Sequence, residues 1–140
     1  NPKGIREVAD LARKDVTLIN REEGAGARVL LDQRLAAAGL KTSQVKGYAR
    51  LAGSHFEVAR HVAEGQADAG IGVWSAARLM GMDFIPLQKE RYDLVVPTSY
   101  LTEHPGLANL LDTILSRQFR TEIEALGGYD TRETGKVREF

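Results

Sequence analysis

Two arginines and two glycines lie close together in the segment NREEGAGAR and could form an anion site. An apolar run precedes this segment and a helical pattern follows it, so it is predicted to be the turn between a strand and a helix. Gly24 and Gly26 permit a sharp turn, and the helix start adds N–H donors at the positive end of its dipole. With Arg21 and Arg28 on either side, this turn, including the backbone of Ala27, is predicted to bind a small oxyanion or carboxylate.

The same residues have a simpler interpretation. Most turns of this kind carry glycine only to change direction, and Glu22 and Glu23 would repel an anion if they pointed inward. Arg28 could also pair with Glu22 or Asp32 on the surface, which would contribute little. A dinucleotide site is not favoured because Val29 stands where the third glycine of the GxGxxG pattern belongs. The sequence also contains no GK[ST] motif, which argues against a nucleoside triphosphate loop.

Strand patterns alternate with helical patterns along most of the chain. Alternation of this kind predicts an α/β fold with a mostly parallel sheet of about five strands, helices on both faces, and further helices at the C-terminus. The predicted strands are residues 16–20, 45–48, 67–73, 84–87 and 92–96. The predicted helices are residues 4–14, 29–38, 55–64, 75–80 and 104–126.

Further candidate contacts stand where predicted strands end, which is where open α/β sheets bind ligands. Ser54 and His55 open a helix, so the Ser54 hydroxyl could face an anion or simply cap that helix. His55 could be a ligand contact or an ordinary surface residue. Trp74 and Ser75 follow another strand, and the default expectation for Trp74 is a buried wall residue. Tyr92 could donate to a ligand oxygen or only pack.

The composition favours a binding module over an enzyme. The 140 residues carry equal numbers of acidic and basic side chains, so no general charge points to nucleic acid or an anionic membrane. There is no cysteine, and His55, His61 and His104 have no metal-ligand spacing. No nucleophile motif occurs, no apolar stretch reaches membrane-spanning length, and the first residues do not have the pattern of a signal peptide. We therefore predict no catalysis, metal or cofactor, and a cytoplasmic location with the periplasm as the alternative. The chain opens without methionine, so it is expected to be a piece of a longer protein.

Six motifs together resemble the periplasmic-binding-protein-like domain family, whose relatives include the type II molybdate- and tungstate-binding proteins. They occur in the family's order and spacing: NPKGI at the start, NR with GAGAR, GY before SH, ADAGIG, ERYDL, and GYD near the end. Such domains are often fused to a winged helix-turn-helix or to a molybdopterin-biosynthesis protein. The resemblance thus implies two alternatives. The chain is either the oxyanion-sensing part of a larger regulator or transport-related protein, or a non-catalytic appended domain of a molybdopterin-biosynthesis enzyme.

The resemblance also implies an organisation. Type II proteins have two lobes with the ligand between them, so residues 1–96 would be one α/β ligand-binding lobe and residues 97–140 a helical return segment and tail. The first lobe would then precede Asn1, or its place would be taken by a second copy of the chain. In either case Leu107, Leu110 and Ile114 are expected to be exposed or to be covered by that partner.

The glycine turn departs from the family in one respect. Molybdate and tungstate relatives commonly have hydroxyl residues there, whereas this chain has Ala25 and Ala27. Hydroxyls donate hydrogen bonds to an oxyanion without adding charge, so their absence leaves backbone N–H groups and Arg28 as donors. The full set of predicted ligand-binding residues is Arg21, Gly24, Gly26, Ala27, Arg28, Ser54, His55, Trp74, Ser75 and Tyr92.

Overall fold

The protein, seen in a computed structural model that describes residues 1–138, forms two compact units, Asn1–Pro86 and Leu87–Phe140. The first unit contains three strands and three α-helices, with short 3₁₀ helices at Val8–Ala12 and Thr42–Gln44. Its strands are β1 (Leu18–Arg21), β2 (Leu51–Ala52) and β3 (Ala69–Gly70), and its helices are α1 (Gly26–Ala37), α2 (His55–Ala63) and α3 (Trp74–Leu79).

The strands form one parallel sheet in the order β2-β1-β3. Arg21 pairs with Ala52 on one side of β1, and Ile19 pairs with Gly70 on the other. The crossover through α1 and the crossover through α2 run in opposite directions across the sheet, and the right-handed rule places two such helices on opposite faces. The predicted α/β class with a parallel sheet is therefore confirmed.

The core of the first unit surrounds the central strand. Leu18 and Ile19 of β1 are buried together with Leu31 and Leu35, which lie four residues apart on one face of α1. On α2, Val58 packs in the same cluster as Ile19. The apolar faces of both helices thus pack toward the sheet. This packing fixes the direction in which the loops after each strand emerge.

The expected number of strands is wrong. The structure has three strands in residues 1–138, because residues 84–87 and 92–96 have strand composition but no neighbouring strand to complete a ladder. The strand expected at residues 45–48 is also displaced to Leu51–Ala52. Gly47 adopts a left-handed conformation there, with φ +86°, and turns the chain away from β1 before it returns.

All the regular structure in residues 87–138 of the second unit is helical. It contains α4 (Tyr100–Glu103), α5 (Pro105–Leu115) and α6 (Arg117–Leu126). The single helical stretch expected over residues 104–126 is divided at Ser116, whose hydroxyl accepts a hydrogen bond from the Phe119 N–H at 3.1 Å and so caps α6. Leu110 is exposed, whereas Leu107 and Ile114 are half-buried. None of the helices in the described residues is long and apolar enough to cross a bilayer.

Candidate functional site

The ends of all three strands meet at the carboxyl edge of the first unit's sheet. Since Arg21 pairs with Ala52, the turn after β1 emerges beside Gly53 and the start of α2. The Arg21 guanidinium donates to the Gly53 carbonyl oxygen at 3.4 Å, which ties these two loops together. The third loop is close as well, because a Cβ added to Gly72 would lie 3.9 Å from the His55 Nδ1 atom. The parallel topology therefore gathers the predicted residues of the first unit at one edge.

The glycine turn forms as predicted from its sequence. Gly24 has φ +85°, which only glycine adopts readily, and Ala25 is the extended residue before α1. The N–H groups of Arg28 and Val29 both donate to the Ala25 carbonyl oxygen, at 3.0 and 3.1 Å. Only the N–H groups of Gly26 and Ala27 therefore precede the helical ladder, and the space beside Gly26 is open.

Arg21 is held firmly by its neighbour in sequence. Its Nε and Nη2 atoms each lie 2.7 Å from a carboxylate oxygen of Glu22, which is a bidentate pair. The pKa of Glu22 is lowered to about 2, mainly by these hydrogen bonds and to a smaller extent by a hydrogen bond from the backbone. The Arg21 side chain is only 11% exposed. This guanidinium is therefore already matched by a carboxylate.

Arg28 is held differently. Its guanidinium carbon lies 5.1 Å from the centre of the Tyr48 ring, within the range of a cation–π contact. One of its nitrogens donates to the Arg21 carbonyl oxygen at 3.4 Å, and another lies 3.7 Å from Glu23. The Arg28 side chain is 14% exposed, whereas that of Glu23 is 89% exposed. Arg28 thus has a fixed support and a loosely held counter-charge.

Tyr48 is the contact that sequence reasoning missed. Its hydroxyl donates to Asp32 at 2.7 Å, and its carbonyl oxygen accepts from the buried amide of Asn20 at 3.3 Å. The pKa of the Tyr48 phenol is raised, mainly by burial and to a smaller extent by the hydrogen bond to Asp32. Asp32 follows Arg28 by one helical turn, so the sequence indicates that both lie on the same face of α1. The sequence does not indicate that the Tyr48 ring lies against that face.

Ser54 caps α2, as one of its two interpretations predicted. Its hydroxyl oxygen accepts from the Glu57 N–H at 3.0 Å, while the Glu57 carboxylate accepts from the Gly53 N–H at 2.8 Å. This pair of bonds resembles a capping box and fixes the angle at which the chain enters α2. His55 is the first residue of α2 and lies close enough to Glu22 to interact with its charge.

The other candidates have different surroundings. Trp74 begins α3 and stacks on Phe84 with the ring centres 6.5 Å apart. It is 50% exposed, so the expectation that it is a buried wall residue is wrong. Ser75 beside it is buried. Tyr92 belongs to the second unit, is fully exposed, and lies in a segment without regular structure rather than in the strand expected there.

A separate concavity precedes β2. It has a volume of about 330 Å³ and is open to solvent. Tyr48 lines this concavity and also contacts the Arg28 side chain. The remaining lining residues are Thr42, Ser43, Val45, Gly47, Ala49 and Arg50. In residues 1–138 there is no group of three or more His, Cys, Asp or Glu side chains arranged to hold a metal.

Two curated relatives are similar to the chain. One is the uncharacterized protein YvgK of Bacillus subtilis strain 168, which is 44% identical over 138 residues; the match covers 98% of this chain and 44% of YvgK. The other is an uncharacterized Clostridium pasteurianum protein from the 5′ region of a 2Fe-2S ferredoxin gene, 43% identical over 110 residues, which are 78% of this chain and 96% of that protein.

The chain thus spans less than half the length of the B. subtilis relative. No solved structure matches it. A family model described as a PBP superfamily domain matches residues 1–115, which include the whole carboxyl edge of the sheet. The chain belongs to the periplasmic-binding-protein-like family of domains.

Proposed function

We propose that this domain binds a small oxyanion, such as molybdate or tungstate, and does no chemistry of its own. The anion would lie at the carboxyl edge of the sheet, between the glycine turn and the start of α2. The domain would serve as the ligand-sensing part of a larger regulator or transport-related protein. Its membership in a family of ligand-binding domains and the greater length of the B. subtilis relative support this proposal.

The position of Arg28 is the observation that carries the proposal. The Tyr48 ring and the Arg21 carbonyl oxygen fix its guanidinium, so little side-chain entropy remains to be lost when an anion binds. A planar guanidinium can donate two parallel hydrogen bonds to an oxyanion. The N–H groups of Gly26 and Ala27 lie at the start of the same helix and can add neutral donors.

The remaining donors near Arg28 are neutral groups. The Ser54 hydroxyl accepts one hydrogen bond as a helix cap, and its own O–H hydrogen is still able to donate. Ala25 and Ala27 remove the two hydroxyls that molybdate-binding relatives commonly have in this turn. Charge and backbone N–H groups would therefore recognise the anion here, which favours tetrahedral oxyanions in general over one species.

Titration calorimetry of the purified protein with molybdate, tungstate, sulfate and phosphate tests this function. Arg28→Ala is expected to weaken the binding of any anion that binds by about 1.5–3 kcal/mol, the usual range for a charged hydrogen bond. Arg60→Ala is the matched control, because it also removes one positive charge, from an exposed side chain on α2. The proposal is wrong if none of the four anions binds, or if Arg28→Ala and Arg60→Ala bind them as the wild type does.

A further inference from the structure

We infer that the Glu23 carboxylate is a displaceable counter-charge for Arg28 and sets how tightly this site holds anions. This inference rests on the proposed function, because it concerns the same guanidinium. An entering oxyanion would take the place of the Glu23 carboxylate, while Glu22 would stay paired with Arg21.

The two adjacent glutamates differ in how they are held. Glu22 makes two hydrogen bonds of 2.7 Å to Arg21, and the Arg21 side chain is largely buried. Glu23 has one contact with Arg28, at 3.7 Å, which is too long for a hydrogen bond. Because the Glu23 side chain is exposed, an ion pair of this length contributes little, and replacing it requires little energy. The structure therefore separates a fixed carboxylate from an exchangeable one.

The support of Arg28 does not depend on Glu23. The Tyr48 ring lies against the guanidinium, and the Arg21 carbonyl oxygen accepts from a different nitrogen than the one nearest Glu23. Exchange of one anion for another therefore requires movement of the exposed Glu23 side chain and leaves the guanidinium in place. A preorganised donor of this kind retains its geometry when its counter-charge changes.

A charged competitor affects ligands according to their charge. The Glu23 carboxylate repels a dianion about twice as strongly as a monoanion of the same shape, because the Coulomb energy is proportional to the product of the charges. Removing the Glu23 charge should therefore benefit molybdate more than perrhenate, a tetrahedral monoanion of similar size. A purely structural role of Glu23 would give no such dependence on ligand charge.

Glu23→Gln keeps the size of the side chain and removes its charge. We expect it to tighten molybdate binding about three- to tenfold, and perrhenate binding by a smaller factor. Glu64→Gln is the matched control, because Glu64 ends α2 at the far end from His55 and its substitution changes the net charge by the same amount. Calorimetry with both anions, together with thermal unfolding of each variant, supplies the readouts.

The possible results distinguish the two proposals. If the wild type binds molybdate, Arg28→Ala weakens it, and Glu23→Gln leaves the affinity unchanged or lowers it, then the inference about Glu23 is wrong while the anion site stands. If Glu23→Gln and Glu64→Gln tighten binding equally, the effect is one of net charge and the inference is again wrong. If neither the wild type nor Glu23→Gln binds any anion, the proposed function itself fails.

Discussion

The two units of this protein bury their apolar side chains very differently. In the described residues, every buried hydrophobic side chain lies between Ile5 and Ala76, within the first unit. In residues 87–138 the buried positions are Gly127 and Thr131, neither of which is a large apolar residue. The first unit thus has its own core, whereas the helices of the second unit leave leucines such as Leu110, Leu115 and Leu126 exposed.

The comparison shows that the sequence pattern of a helix does not determine whether its apolar face is buried. The helices of both units have an apolar face, and the periodicity that predicts a helix does not say what covers that face. In the first unit a three-stranded sheet covers it. In the second unit the exposed leucines are suited to a covering surface, which accords with the proposal that the domain is part of a larger protein.

The largest effect is expected from matched leucine truncations in the two units. Leu35→Ala removes a side chain that is 1% exposed and leaves a cavity against the sheet, which should lower the free energy of unfolding by about 4 kcal/mol. Leu110→Ala removes a side chain that is 45% exposed and should cost less than about 1 kcal/mol. Urea unfolding followed by circular dichroism and by the fluorescence of Trp74, the single tryptophan, measures both. Equal losses would show that the two units do not differ in this way.

A smaller effect is expected from two glycines with the same backbone conformation. Gly47 and Gly135 both have φ +86°, so alanine is strained at each position. At Gly47 the added Cβ would collide with the Leu18 carbonyl oxygen, which β1 holds in place. At Gly135 it would meet the end of the Leu115 side chain, which is half-exposed and able to move.

Gly47→Ala should therefore destabilise the protein by about 3 kcal/mol, and Gly135→Ala by about 1 kcal/mol. Thermal unfolding of the two variants measures the difference. If both lose the same amount, the backbone conformation alone decides the cost, and the packing of the first unit against Gly47 adds nothing.

Local features could be predicted from the sequence, because they depend on residues a few positions apart. The strand at Leu18–Arg21, the glycine turn, helix α1, and the Ser54 cap all follow from neighbouring residues. Gly65, with φ +70°, follows the end of α2, a position where glycine is common.

Contacts between distant segments could not be predicted in this way. The cation–π contact of Arg28 requires Tyr48 to return beside α1 after the left-handed turn at Gly47, and no local pattern encodes that path. Residues 92–96 have strand composition, but a strand needs a neighbour, and the sequence does not say whether one is present. The pairing of each arginine with its own glutamate in the turn is also a matter of rotamers that the sequence does not show.

The smallest effect concerns one carboxylate in each unit. Glu22 is paired with Arg21, and Asp130 with Arg132, and these hydrogen bonds lower the pKa of each carboxyl to about 2. A carboxyl whose pKa is lower in the folded protein stabilises the fold above its ordinary pKa, and this contribution is lost as the pH falls toward 2. The two pairs differ in their arginines, since the Arg21 side chain is 11% exposed and also bound to Gly53, whereas Arg132 is 85% exposed.

Thermal unfolding between pH 6 and pH 2 separates the two pairs, because an exposed pair is screened by salt and can persist in the unfolded chain. The difference in Tm between the wild type and Glu22→Gln should narrow as the pH falls from 4.5 to about 2, and it should persist above pH 4.5 when the salt concentration is raised to about 0.5 M. The difference for Asp130→Asn should be smaller at every pH and should vanish in that salt. If the Tm of Asp130→Asn differs more from the wild type than the Tm of Glu22→Gln does, the stronger ion pair belongs to the second unit. The Arg21–Glu22 pair is then an ordinary surface contact.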